Sequence, residues 1–265
     1  MPSSAFIYFS ATGNTKLSSE YLVHRIPQVD FSLIDLREFQ GQDLSSYDVI
    51  GLATYVDFQG PPKLMMDAID SLPPGGGKPV FIICTYAGIP GQTLKTMKRL
   101  LEAKGYRVIS GHALRMPENY SPMRKKGMKG DERPGPKDLE GFQTYIRGLG
   151  DAILTYHLKG ELSQQKIKIG FVNSFFKGRD RYKAKKEMGV KKLDEALCTR
   201  CGVCARSCPY DAIRLSPRPV FDEGRCMGCF SCYNRCPVGA ISTEKLTNEF
   251  RYPGPSEGLK KRMSY

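Results

Sequence analysis

Eight of the nine cysteines fall into two cassettes of the form C-x2-C-x2-C-x3-C-P. The first, CTRCGVCARSCPYDAI, covers 198–213, and the second, CMGCFSCYNRCPVGAI, covers 226–241. Each cysteine therefore has a counterpart 28 positions further along. Because the chain opens with no evident export signal, this spacing favours metal binding over disulfides.

The cassette spacing predicts two [4Fe–4S] clusters. One C-x2-C-x2-C loop supplies three thiolates to a cluster, and in bacterial runs of this form the fourth cysteine ligates the other cluster. Zinc is the alternative, but its four tetrahedral ligands leave the third cysteine and the C-P step unused. The cassettes resemble a two-cluster bacterial-type ferredoxin domain. The predicted ligand sets are Cys198, Cys201, Cys204 and Cys236 for one cluster, and Cys208, Cys226, Cys229 and Cys232 for the other.

A second candidate site is the stretch YFSATGNTK, residues 8–16. It is predicted to turn from a first strand into a helix, where hydroxyls, backbone N–H groups and the helix dipole suit a phosphate. It is neither a Walker loop nor a G-x-G-x-x-G dinucleotide motif. A well-capped helix without a ligand is the alternative. The candidate phosphate-binding residues are Ser10, Thr12, Gly13, Asn14 and Thr15.

The elements that must position this turn follow an alternating pattern. Short apolar runs alternate with helix-like periodicity through the first 118 residues, which predicts an α/β domain with a doubly wound, five-stranded parallel sheet. The predicted strands are 5–9, 30–36, 47–54, 79–85 and 106–116, and the predicted helices are 13–26, 61–72, 90–105 and one beginning near Asp138.

The S-x-T-G-N-T turn after the first of these strands resembles flavodoxin, whose phosphate loop holds FMN. The resemblance implies that ATYVDFQGPP and CTYAGIPG, after the third and fourth strands, enclose the isoalloxazine ring. MPENY, residues 116–120, is a further candidate for the same site. By this resemblance the ring-stacking residues are Tyr55, Phe58 and Tyr86, and the residues with mostly backbone contacts are Thr54, Val56, Thr85, Ala87 and Gly88.

The whole chain resembles the flavodoxin–ferredoxin fusion proteins of anaerobic redox systems. This implies a flavodoxin-like FMN domain over 1–160, a basic connector over 161–192, a small α+β two-cluster ferredoxin domain over 193–245 and a tail over 246–265. The implied function is electron transfer between two [4Fe–4S] clusters and FMN, which converts single electrons into pairs or the reverse. The alternative is an FMN-dependent reductase that delivers hydride to a small organic substrate or quinone, with residues 119–137 as a lid. Neither reading assigns a catalytic side chain.

Charge and hydropathy constrain the partners. The net charge of +13 belongs to the connector and the C-terminal region, since residues 1–118 carry no net charge. We expect an acidic redox partner such as a low-potential ferredoxin, no nucleic acid, no transmembrane segment and a cytoplasmic location. Self-association is left open. Cys84 is predicted to be a buried apolar residue, and His24, His112 and His157 are assigned no chemistry.

Overall fold

The computed structural model describes residues 1–39, 41–162, 167 and 181–264. Most of the predicted connector lies outside these residues. Within them, no helix is long and apolar enough to cross a membrane. The predicted domain limits at 160, 192 and 245 stay predictions.

Five parallel strands form the main sheet in the order β2-β1-β3-β4-β5. This is the flavodoxin-like order of a doubly wound sheet, so the predicted fold class is confirmed. The five predicted strands are also confirmed, each to within two residues at its ends. The strands are β1 (Ser3–Tyr8), β2 (Asp30–Asp35), β3 (Val49–Tyr55), β4 (Pro79–Tyr86) and β5 (Arg107–Arg115).

Helices cover both faces of the sheet, and this explains the continuous apolar runs of its central strands. Along β3, Ile50 and Leu52 enter one core while Val49 and Ala53 enter the other. Gly51 between them leaves room for aromatic rings, since a Cβ there would lie 2.1 Å from Phe81. The helices are α1 (Asn14–Val23) and α5 (Pro136–Lys159) on one face, and α2 (Lys63–Ser71) and α3 (Thr93–Ala103) on the other.

Helix α5 begins two residues before the predicted start. Pro136 occupies the first turn, where no N–H is needed, and the Asp138 carboxylate accepts a hydrogen bond of 2.9 Å from the backbone N–H of Gly135. Its apolar face is as predicted, with Phe142, Ile146 and Leu149 buried. A short helix, α4 (Ser121–Lys125), lies in the predicted loop before it.

The C-terminal region repeats its structure as well as its sequence. Strand β6 pairs antiparallel with β9, and β7 pairs antiparallel with β8, with one short helix in each half. Elements of the two halves are again 28 residues apart. Helix α6 (Arg181–Met188) precedes them. The bounds are β6 (Lys191–Leu193), α7 (Val203–Arg206), β7 (Ile213–Leu215), β8 (Pro219–Phe221), α8 (Ser231–Arg235) and β9 (Ile241–Thr243).

The tail returns to the first domain. After a 3-10 turn (Asn248–Phe250), helix α9 (Glu257–Arg262) places Leu259 and Met263 in the core that also holds α1 and α5. Both side chains are fully buried, which is worth about 2–3 kcal/mol each. The sequence assigned this tail no role, because so short a helix gives little periodic signal.

Candidate functional site

The turn between β1 and α1 has the backbone of an anion site. Helix α1 starts at Asn14, after Gly13 with a φ of 108°, a conformation that favours glycine. The Gly13 N–H donates to Ser10 Oγ at 3.0 Å. The first N–H groups of any helix lack intrahelical acceptors, so those of α1 face outward from its N-terminus with the positive end of the helix dipole.

Distant segments hold the side chains of this turn. Asn119 Nδ2 donates to Thr12 Oγ1 at 2.9 Å, and Asn14 Nδ2 donates to the carbonyl of Pro117 at 3.0 Å. Tyr252 of the tail donates its hydroxyl to Asn14 Oδ1 at 2.5 Å. The turn is therefore fixed by the loop after β5 and by the tail.

The tail also closes over the turn. Pro255 lies against Gly13, where an added Cβ would come within 2.8 Å of the proline Cδ. Gly254 approaches the carbonyl of Thr12, since a Cβ on it would lie 3.2 Å from that oxygen. A side chain at position 13 would therefore meet both an unfavourable φ and a steric contact.

A small cavity of about 30 Å³ lies beside the turn, and a larger one of about 250 Å³ adjoins it. The two share Tyr55 and Val56 from the end of β3, Tyr86 and Ala87 from the end of β4, and Glu118 and Asn119 from the loop after β5. Both lie at the carboxyl ends of the strands, next to the β1/β3 switch in strand order, where open α/β sheets bind ligands.

The two cavities gather nearly all of the residues predicted to bind the mononucleotide. Only Gly13 and Thr54 are not lining residues in the part of the chain that is described. Thr54 is buried in β3, and its hydroxyl has no hydrogen-bond partner among the described residues. The lining members are Ser10, Thr12, Asn14, Thr15, Tyr55, Val56, Phe58, Thr85, Tyr86, Ala87 and Gly88.

The larger cavity is also lined by residues of the second cassette. Cys229 and Phe230 reach it, together with Gly228. Sequence reasoning missed this juxtaposition, because nothing in either motif indicates which cassette faces the sheet.

Aromatic rings connect the two regions at this cavity. The Phe58 ring meets Tyr120 edge-on at 5.2 Å, and Tyr120 meets Phe230 edge-on at 5.3 Å. Phe58 has a positive φ of 48°, which costs a non-glycine residue about 1–3 kcal/mol and is a type of strain found at functional sites. Reciprocal backbone hydrogen bonds of 2.8 and 3.1 Å between Asp57 and Gly60 close a tight turn around Phe58 and stabilise this conformation.

Glu118 is a further residue shared by both cavities, from the MPENY stretch. Burial raises the pKa of its carboxyl above the ordinary value, while the backbone N–H groups of Tyr120 and Asn119 and the charge of Arg124 act in the opposite direction. The cavity wall thus holds a carboxyl group that retains its proton more strongly than usual.

Each predicted cysteine set lines a small cavity of its own, and the assignment of the sets as cluster ligands stays a prediction. One small cavity is lined by three cysteines of the first cassette and the last one of the second, and another by the complementary four. Cys84 lies apart from both, fully buried in β4, as predicted, and burial raises the pKa of its thiol. The lining sets are Cys198, Cys201, Cys204 and Cys236, and Cys208, Cys226, Cys229 and Cys232.

Equivalent bonds shape both halves. Asp194 Oδ1 accepts from the backbone N–H groups of Ala196 and Leu197, and Asp222 Oδ1 accepts likewise from the two residues at matching positions. Near the crossing cysteines, the Ala212 N–H donates to Cys208 Sγ at 3.3 Å, and its counterpart at 240 donates to Cys236 Sγ at 3.2 Å.

The two sets differ in their surroundings. Cys201 is exposed, and backbone hydrogen bonding from Val203 lowers the pKa of its thiol. Cys232 is buried, and burial raises the pKa of its thiol well above the ordinary value, with neighbouring Cys229 and Cys226 adding to the increase.

Among the described residues, the Lys191 amine contacts a cysteine of the second set. Its Nζ lies 3.1 Å from Cys226 Sγ and 2.9 Å from Glu223 Oε2. Burial lowers the pKa of this amine, but the Glu223 carboxylate and the Cys226 sulfur together raise it by more, so that the pKa lies above its ordinary value. The amine is therefore a buried positive charge.

Comparisons with known proteins give different matches for the two regions of the chain. Residues 197–240 match the family model described as a 4Fe-4S dicluster domain. No curated protein matches the chain. The chain thus joins a flavodoxin-like fold, established by its strand order, to a 4Fe-4S dicluster domain, the combination that the sequence predicted.

Solved flavodoxins are similar in structure to the N-terminal part. A flavodoxin from the domain Archaea has 17% identity and a TM-score of 0.44, covering 57% of this chain and 99% of its own. A flavodoxin of Streptococcus pneumonia TIGR4 has 18% identity and a TM-score of 0.43, covering 56% and 98%. The two-electron reduced flavodoxin of Megasphaera elsdenii has 19% identity and a TM-score of 0.41, covering 54% and 98%.

Proposed function

We propose that this chain, which joins a flavodoxin-like fold to a 4Fe-4S dicluster domain, is an electron-transfer iron–sulfur flavoprotein. It would hold FMN in the first region and two [4Fe–4S] clusters in the second. The clusters carry single electrons and the flavin stores two and takes up protons, so the pair converts one-electron into two-electron transfer.

The turn after β1 fits a phosphate. The N-terminus of α1 offers backbone N–H groups, and Ser10, Thr12 and Thr15 offer hydroxyls beside the small cavity. Loop and tail contacts fix the turn before any ligand arrives, which lowers the entropy lost on binding. In this proposal the phosphate of FMN lies at the turn.

The larger cavity fits the flavin ring. Tyr55 and Tyr86, at the ends of adjacent strands, present aromatic surfaces that could stack on or beside it. Glu118 lies at the same wall, and its raised pKa suits a group that supplies a proton when the flavin is reduced.

The observation that carries the proposal is the presence of Cys229 in the wall of the same cavity as Tyr55 and Tyr86. A cluster held by Cys208, Cys226, Cys229 and Cys232 would lie beside the ring. The other set opens to the surface, where Cys201 is exposed. Single electrons would therefore enter or leave at the first set and reach the flavin through the second.

The surface around the first set suits an acidic electron carrier. Arg200, Arg206 and Arg214 are exposed there, and none of them forms a salt bridge within the described residues. Leu215 and Val238 add exposed apolar surface, at 46% and 40% exposure. Positive charge around an apolar centre favours fast encounter with a negatively charged partner protein.

One observation favours the reductase alternative. Tyr120 and Met123, from the predicted lid loop, line the larger cavity. Its volume argues against a second organic ligand, however, because about 250 Å³ lies below the roughly 300–1,000 Å³ of typical small-molecule pockets. Space of this size would be filled by the flavin ring, so we favour the carrier function.

The test is anaerobic reduction with a single-electron donor. Protein prepared without air should contain about eight irons and one FMN per chain. Mixing it with a reduced low-potential ferredoxin should bleach the flavin absorbance. The Cys84→Ala variant, which lacks the thiol outside the cassettes, should retain both cofactors. Material containing zinc alone, or flavin bleached equally fast by NADH without a carrier, would contradict the proposal.

A further inference from the structure

One of the differences between the two halves of the cluster region lies at a buried position beside the cysteines. Lys191 is the first residue of β6, and Pro219, 28 residues later, is the first residue of β8. The two therefore occupy equivalent positions of the repeat. Each lines a cavity in which three of the four cysteines come from the other half, Lys191 with the second cysteine set and Pro219 with the first. The bonds made by Asp194 and Asp222 are equivalent, so the local scaffold is the same in both halves.

The Lys191 amine is held against a cysteine sulfur. Only 1% of its side chain is exposed, and its Nζ lies 3.1 Å from Cys226 Sγ. Strand pairing with β9 fixes its backbone. Glu223 forms an ion pair with it, but a third of the Glu223 side chain is exposed, so water screens the carboxylate more than the amine.

We propose that Lys191 raises the reduction potential of the second cluster above that of the first. The inference rests on the proposed function, since it requires clusters in both sets. Reduction adds one negative charge to a cluster, and a buried positive charge in contact with a ligand sulfur stabilises that added charge. Pro219 supplies neither a charge nor a hydrogen-bond donor at the matching place.

This difference gives a direction to the electron path. The first set is near the surface, whereas Cys229 of the second set borders the larger cavity. A higher potential at the second cluster draws each electron from the surface towards that cavity. Arg200, which lines the cavity of the first set, is exposed. Arg206 is also exposed and donates to the carbonyl of Cys201 rather than to a sulfur.

The test is an anaerobic redox titration of cluster-loaded protein, followed by EPR. Lys191→Met keeps the length of the side chain and removes its charge. One cluster should then titrate at a lower potential while the other is unchanged, and Lys191→Arg should retain most of the original potential. The matched control is Lys192→Met, at the exposed neighbouring position, which should shift neither cluster.

Two further variants decide the matter if Lys191→Met does not fold. Glu223→Gln leaves the amine as the only charge at the sulfur and should raise the potential of the same cluster. Pro219→Lys places an amine in the other half and should narrow the difference between the clusters. Two EPR signals with unchanged potentials in Lys191→Met, or in Glu223→Gln, would overturn the inference. Protein without iron would instead refute the proposed function, so the two failures are distinguishable.

Discussion

The two cysteine cassettes share a scaffold but occupy different environments. In the first half, one of the four residues of α7, Cys204, is buried, and Cys201 just before the helix is exposed. In the second half, every residue of α8 except Arg235 is buried, and Ser231 Oγ donates to the carbonyl of Ala11 in the turn after β1 at 3.2 Å. A repeat that folds the same way twice thus gives one cysteine set with an exposed member, Cys201, and one set in which Cys229 borders the larger cavity.

The largest expected effect compares Cys229→Ser with Cys201→Ser. Each variant should lose one cluster and fall from about eight irons to about four. Both variants should also slow flavin bleaching by a reduced carrier protein, because the proposed electron path runs through both clusters. The loss should be larger in Cys229→Ser, since Cys229 borders the cavity assigned to the flavin. Iron analysis and stopped-flow absorbance measure the two effects. Equal flavin bleaching in Cys229→Ser and the unmodified protein would remove the functional distinction between the halves.

Asn234 and Arg206 occupy equivalent positions of the repeat, 28 residues apart. Their replacement by alanine should lower the free energy of unfolding by different amounts. Asn234 is buried, accepts from the Tyr252 N–H at 2.9 Å and donates to the Asn119 carbonyl at 3.0 Å. Its replacement by alanine leaves buried groups unsatisfied, with an expected loss of about 2–3 kcal/mol in the free energy of unfolding. Arg206→Ala, at an exposed position, should cost under about 1 kcal/mol.

FMN affinity provides a second readout for the same pair. Asn119 also donates to Thr12, so Asn234→Ala should weaken FMN binding, whereas Arg206→Ala should not. Anaerobic urea unfolding and flavin fluorescence titration measure the two quantities. Weakened FMN binding in both variants to the same extent would show that the contact between regions is not specific to the second half.

The effect of ionic strength on the rate of reduction should show whether an acidic carrier binds at the arginines around the first cysteine set. Arg200→Gln combined with Arg214→Gln should slow reduction by an acidic carrier and flatten the dependence of its rate on ionic strength, since exposed charges act through steering. Lys95→Gln combined with Arg99→Gln, on the exposed side of α3, is the matched control. A loss of rate with the control pair as large as with the arginine pair would place the docking surface elsewhere.

The smallest expected effect concerns pH. The pKa of Glu118 is raised in the folded protein. The protonated side chain therefore contributes its full share to the free energy of unfolding below the unfolded-state pKa of about 4.3. This contribution is lost as the pH rises through the folded-state pKa. Glu118→Gln should remove this dependence and increase the relative stability at the higher pH. Unfolding at a series of pH values tests this, and a variant with an unchanged profile would contradict it.

The features that could be predicted from the sequence are those encoded by patterns within short segments. Five apolar runs gave the strands, and two cassettes gave cysteine sets that the structure brings together, because both signals lie within short segments. The contact of Tyr252 with Asn14 joins residues 238 positions apart, and no periodicity encodes it. The place of Cys229 in the larger cavity depends likewise on how the two regions pack.

The crossing of the tail over the turn after β1 has a consequence for biosynthesis. Tyr252 and Pro255 leave the ribosome after both cassettes, yet they contact Asn14 and Gly13, which leave it before either cassette. The sheet can form while translation continues, since domains fold as they emerge. The candidate mononucleotide site, by contrast, acquires the tail contacts that fix its turn only after the cassettes have been made. We therefore expect a chain truncated before residue 252 to carry a less firmly fixed and weakened site.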